Sequence, residues 1–286
     1  MSINDIPVTV VGPGSQPDGD KQLSYIDMPG DMDTYSAPLI QDLDTVQHLS
    51  AARETMEWLR QALANYRCGA APLIANLSAL DEASRDLVNQ ILGEGEVSIT
   101  YSGAVVARTQ ESVLAGVWRT VYFDANDCVI GDLLEVADAP HVVRRADEGC
   151  RPIDVSKPDE ARDVPNALPI LTELEYQAGK FRHDGVPHSV NLSLLPLSDT
   201  ELEFLDRRLG RGTVDILSRS YGKCQIISTR SRDVWWVRYY NSMGILILNS
   251  LEVADVPVVV NAAAEDLRDS AQRLDDILAP YWSDVA

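Results

Sequence analysis

The sequence has little that would mark a secreted, membrane-bound or metal-holding protein. Its four cysteines, Cys68, Cys128, Cys150 and Cys224, are scattered with no C-x-x-C pair. Free thiols in a reducing compartment are expected, rather than a disulfide framework or a thiolate metal site. The four histidines, His48, His141, His183 and His188, lack a metal-binding helical spacing. His183 and His188 flank a D-G-x-P turn and read as loop residues. Positive charge is scarce, 24 Lys and Arg against 44 Asp and Glu, and the net charge of −20 repels nucleic-acid phosphate and anionic membranes. A basic partner fits better. No apolar run reaches membrane-spanning length, and residues 1–20 carry neither a basic n-region nor a long apolar core. A cytoplasmic protein with no direct membrane insertion is expected. Also missing are a Walker loop, a G-x-S-x-G elbow, a zinc signature and a complete dinucleotide fingerprint. Gly12-x-Gly14 has no third glycine in place, and Pro13 and Pro17 interrupt any helix there. The expectation is a binding protein, not an enzyme, with no cofactor and no metal.

What is present is a repeated phrase. LEVADAP at 134–140 returns as LEVADVP at 251–257, a separation of 117 residues. That is too long for a solenoid period and suits a duplicated domain. Aligned without a gap, residues 80–143 and 197–260 are identical at 18 of 64 positions, against roughly four for chains of ordinary composition. Leu92-Gly93-Glu94-Gly95 faces Leu209-Gly210-Arg211-Gly212, glycines suited to ending a short helix. Asp81 and Ser198 share the slot that starts it, with Glu201 completing a capping box in the second copy. Strand-like runs follow, Val97 and Ile99 against Val214 and Ile216, then Val117-Trp118 against Val234-Trp235.

The expected fold is α+β with an internal duplication. Each half is a helix plus an antiparallel meander of about four strands, with additional flanking helices. Residues 1–46, with eight Asp and one Lys, read as an acidic flexible arm. The first half spans 47–143, a charged, proline-bearing linker 144–165, and the second half 166–286. An apolar stripe of Leu49, Ala52, Met56, Leu59, Leu63 and Tyr66 predicts a helix before the first repeat, and Leu267, Ala271, Leu274 and Leu278 predict one over 263–278.

What both halves share is expected to serve the fold, and what differs points to function. Trp118, Thr120 and Tyr122 answer Trp235, Val237 and Tyr239 as one strand face. The opposite face is Arg119, Val121 and Phe123 in the first half but Trp236, Arg238 and Tyr240 in the second. Two large aromatics bracketing an arginine suit a protein interface, or a face buried beneath a helix. Nearby Cys224 follows Lys223, which could lower its pKa and make it a nucleophile or cluster-touching thiol, or it could be a packed core thiol.

The run LGRGTVDILSRSYGKCQIISTRSRDVWWVRYYNSMGILILNSLEVADVP, residues 209–257, resembles the C-terminal region of the HupH/HyaF hydrogenase-expression proteins. LGEGEVSI at 92–99 resembles that family's other copy, and MPGDMDTYSAPLI at 28–40 its leader motif. The resemblance implies an accessory chaperone for maturation of a nickel-iron uptake hydrogenase. Its implied partner is the iron–sulfur small-subunit precursor before export, alongside a thioredoxin-like accessory protein. It brings no catalytic residue. It draws attention to Val234–Met243 as a partner surface, with Trp236, Arg238, Tyr240, Asn241, Met243 and Cys224 as candidate partner-binding residues. Two further readings stay open: a thiol-dependent or cluster-handling maturation factor acting through Cys224, and a small-ligand enzyme of unrecognised type.

Overall fold

The computed structural model describes residues 46, 48–156, 164–219 and 222–282. The expected acidic arm, apart from Val46, lies outside the described residues, as do 157–163 of the expected linker. The described residues belong to one compact unit, an α+β fold built on a ten-stranded antiparallel sheet with six α-helices among them.

Helix α1, Ser50–Asn65, forms on the apolar stripe and buries Ala52, Met56, Leu59, Ala62 and Leu63. Strand β1, Leu73–Asn76, leads into α2, Glu82–Leu92, whose cap Asp81 accepts from the backbone N–H of Ser84. Four strands follow: β2 Val97–Ser102, β3 Val106–Glu111, β4 Val117–Phe123 and β5 Val129–Val136. After the short α3, His141–Arg144, comes α4, Ala167–Asp184. The order then recurs as β6 His188–Asn191, α5 Asp199–Leu209, β7 Arg211–Ser218, β8 Lys223–Thr229, β9 Val234–Tyr240 and β10 Leu246–Val253. The capping box at Ser198 and Glu201 is formed. Helix α6, Ala264–Leu278, follows and packs on α1.

The strand order is β1-β5-β4-β3-β2-β7-β8-β9-β10-β6, so the two strand sets meet at the antiparallel pair β2–β7. Its register pairs Ile99 with Ile216, the residue 117 positions on, with Val97 opposite Ser218 and Tyr101 opposite Val214 on either side. The two sheets therefore join edge to edge instead of packing as separate lobes. Gly95 and Gly212 sit where each helix hands over to its meander. A Cβ on Gly95 would collide with the carbonyl oxygen of Ser112, and one on Gly212 with Ser228 and the carbonyl oxygen of Thr229. Close backbone approach, more than helix termination, requires these glycines.

One core gathers α1, α2 and α6 with Trp118, Tyr101, Val214, Ile216, Ile226 and Trp235, so it crosses the β2–β7 seam. A second lies beneath α4 and α5 and contains Val234, Trp236, Leu251 and Val253. Trp118 Nε1 donates to the Ala137 carbonyl at 3.0 Å and Trp235 Nε1 to that of Ala254 at 2.9 Å, so each L-E-V-A-D phrase supplies the backbone acceptor for the tryptophan of its own meander.

Three features depart from the sequence reading. The edge strands β1 and β6 were not expected, being four residues each, β1 polar at its last residue and β6 polar at both ends. His183 and His188 are not loop residues: His183 lies in the last turn of α4, capped by Gly185 at φ 69°, and His188 opens β6 with Nε2 2.8 Å from Glu173 Oε1. Part of the expected linker is packed, since Arg145 lies over the Tyr101 ring at 4.5 Å and Ile153 enters the second core.

Candidate functional site

Strand β9 presents two faces. Trp235, Val237 and Tyr239 enter the first core, while Val234 and Trp236 lie on the side covered by α4 and α5. Trp236 is 5% exposed. Its Nε1 donates to Asn249 Oδ1 at 2.5 Å, and the Asn249 N–H is in turn held by Ser193 Oγ at 2.8 Å. The corresponding slots in the first half hold Arg119 and Asp132, an ion pair at 2.8 Å, with the Asp132 N–H on Ser78 Oγ at 3.1 Å. The same framework thus carries a charged pair in one half and an uncharged one in the other. Trp236 belongs to the floor of any surface here and presents almost no ring area to a partner.

Arg238 lies above that floor, its guanidinium 4.6 Å from the Trp236 ring centroid. Beside it Lys223 Nζ stands 5.9 Å from the ring of Tyr240, its cross-strand neighbour. Both Arg238 and Tyr240 are half-buried. Among the described residues, no carboxylate forms an ion pair with Arg238 or Lys223. The first half differs: Arg108 lies over Phe123 at 4.5 Å but is neutralised by Asp127 at 3.4 Å.

The β9–β10 turn is built by Asn241, whose Oδ1 accepts from the N–H groups of Met243 at 3.0 Å and Ile245 at 2.9 Å, with Gly244 at φ 75°. Asn241 is therefore a turn former. Beyond it Met243, Ile245, Leu246 and Ile247 are 77%, 55%, 44% and 60% exposed. From Val234 to Leu251 no Asp or Glu occurs, in a chain with 44 of them. That carboxylate-free run is readable in the sequence alone, whereas the approach of Lys223 to Tyr240 depends on strand register. Arg238, Tyr240 and Met243 thus share a surface that Trp236 and Asn241 support.

Cys224 does not share it. It lies on the opposite face of β8, 4% exposed, opposite Tyr239. Burial pushes its thiol up to about 11 and, together with the nearby thiol, the Tyr239 hydroxyl up to about 12. A protonated, enclosed thiol is a poor nucleophile and a poor metal ligand at neutral pH, because the thiolate is the reactive form. Lys223, its chain neighbour, points to the other face, so the expected lowering of the thiol pKa does not occur. Among the described residues, no group of three or more His, Cys, Asp or Glu is placed to hold a metal ion, and no helix is long and apolar enough to cross a membrane.

The conserved region described as "HupH hydrogenase expression protein, C-terminal conserved region" matches residues 49–152 and 164–281. The chain belongs to the HupH hydrogenase expression protein family. Relatives within that family include the hydrogenase expression/formation protein HupQ of Azotobacter chroococcum, 41% identical over 93% of this chain and 94% of its own. Another is HoxQ of Cupriavidus necator, 41% identical over 97% of this chain and 98% of its own. Among solved structures, the hydrogenase expression protein HupH from Thiobacillus denitrificans is 30% identical, covering 40% of this chain and 96% of that one, with a TM-score of 0.39.

Proposed function

We propose that this HupH-family protein is an accessory chaperone in the maturation of a nickel-iron uptake hydrogenase, binding the iron–sulfur small-subunit precursor before export. The observation that carries the reading is the β8–β10 surface. Unneutralised Arg238 and Lys223, the Tyr240 ring and an exposed apolar turn stand together above the enclosed Trp236 ring. Apolar turns flanked by arginine and aromatic groups are the composition of protein interfaces. Arg238, Tyr240 and Met243 are assigned to the contact, Trp236 and Asn241 to its support. A thioredoxin-like accessory protein is the natural second partner. The acidic residues 1–46 suit screened attraction to a basic export leader.

The same proposal reads the chain as a tandem duplication, with halves at 47–143 and 166–286 joined by 144–165. It is supported by the 18 identities in 64 positions. It is supported also by the symmetric β2–β7 register, which is how an isologous pair of single domains would meet before fusion.

The test is a titration of the full chain with the small-subunit precursor, with and without its leader, at low and high salt. Saturable binding is expected, weakened by salt when the leader is present. Absence of binding in every condition refutes the chaperone reading.

A further inference from the structure

Strand β10 is longer than the edge strand that covers it. Strand β6 pairs with β10 only from Ser250 to Val253. Toward the turn, β10 has β9 on its inner side, while on the outer side the single helical turn Leu192–Leu194 packs against it and the Ser193 hydroxyl accepts from the Asn249 N–H, with no backbone bond reaching Leu246–Leu248 from that side among the described residues. Leu246, Ile247 and Leu248 therefore offer a free edge, irregular in register between Leu246 and Leu248. Natural sheets guard such edges with charge or proline, since an exposed apolar edge is a template for another strand. This one has no guard: residues 239–251 contain neither a charged residue nor a proline. The corresponding edge of β5 is equally uncovered, because β1 pairs only with Leu133–Val136, and Val129 and Ile130 are exposed there. That turn, however, carries Asp124 and Asp127.

Resting on the assignment of this surface as the partner site, we propose that it takes an extended apolar segment bearing carboxylates. The segment adds as a strand to the outer edge of β10 at Leu246–Leu248. Strand addition supplies backbone hydrogen bonds, and alternate apolar side chains meet Leu246 and Ile247. Arg238, one strand further in, lies roughly 10 Å from an added strand at ordinary sheet spacing, within joint reach of two extended side chains. Lys223 adds positive potential. Charge decides the occupant: in a protein of net charge −20 these two cations are left without carboxylate partners among the described residues, so the complementary ligand is acidic. A second copy would bring Arg238 and Lys223 against themselves and two acidic bodies together. The export leader, being basic, is a different segment from the one recognised here.

The probes are two short labelled peptides, one alternating valine with glutamate and one alternating valine with lysine, titrated against the full chain by anisotropy. The acidic peptide is expected to bind and the basic one not. Arg238→Ala with Lys223→Ala is expected to weaken acidic-peptide binding at least about tenfold. Ile247→Pro, which removes an edge N–H, is expected to do the same while leaving the far-ultraviolet circular dichroism unchanged. If Ile247→Pro does not fold, Ile247→Ser replaces it, removing the apolar contact at unchanged charge, and weaker binding of the acidic peptide is again expected. Equal binding of both peptides, or unaltered affinity in the variants, overturns the proposal. So does a wild-type dimer in sedimentation that Ile247→Pro converts to monomer, since the edge would then belong to a second copy. Precursor binding that ignores these variants sinks this inference and leaves the chaperone reading standing. Peptide binding without precursor binding does the reverse.

Discussion

Two side chains set the terms at the scale of single residues. Glu111 ends β3 half-buried, and burial, with the charges of Glu96 and Asp266, pushes its carboxyl up to about 7 against the backbone N–H groups of Gly116 and Val97. Its folded pKa exceeds its unfolded value, so its contribution is fully present below about 4.5 and is lost as pH rises through about 7. Glu111→Gln is expected to match wild type near pH 4 and exceed it by about 2 kcal/mol above pH 7, discounted for partial solvent access. The difference between their urea midpoints across that range is the check, because other carboxylates cancel in it. Trp118 and Trp235 make the second case. Each is fully enclosed with one indole hydrogen bond to a carbonyl, so Trp118→Phe and Trp235→Phe each leave a buried acceptor unpaired. A loss of about 1–3 kcal/mol is expected for each in denaturant unfolding.

Elements owe their positions to a few pairings between backbone and glycine. Gly95 and Gly212 let each helix turn directly onto the adjacent strand, where a Cβ meets backbone alone at Gly95, and backbone together with the Ser228 hydroxyl at Gly212. Gly95→Ala is expected to cost about 2 kcal/mol or more and to lower the thermal midpoint, whereas Gly179→Ala in α4, with open space around its Cβ position, is expected to stabilise by about 0.5–1 kcal/mol. Helices with strong periodicity were legible: α1, α2, α5 and α6 follow from their apolar spacing, caps and terminal glycines. Helix α4 drew no expectation of its own, although Ile170, Leu171, Leu174 and Ala178 line its buried side. Strands β1 and β6 escaped because an edge strand of four residues owes its conformation to the partner it pairs with, not to its own pattern.

At the scale of the molecule the β2–β7 seam makes one sheet of ten strands, and the core beneath it takes residues from both sides. The described unit is therefore expected to unfold in a single transition. Tryptophan fluorescence and far-ultraviolet circular dichroism should give coincident urea curves; separated transitions would show that the two strand sets are independently stable. Electrostatics also acts at this scale, since a chain of net charge −20 meets an anionic partner only where cations escape neutralisation, as at Arg238 and Lys223.

The sequence by itself determined the α+β class, the helix caps, the paired strand runs and the family, because these depend on local spacing and on residue identity along the chain. It also singled out Trp236, Arg238 and Tyr240, since a difference between aligned segments is visible along the chain itself. Only the tertiary structure decided that Trp236 lies under helices, that Cys224 is sealed on the other face, and that Lys223 joins Arg238 beside an open edge. Those outcomes depend on which strand pairs with which and where an edge strand stops. Such pairings are fixed by contacts between residues far apart in the chain, which no local pattern records.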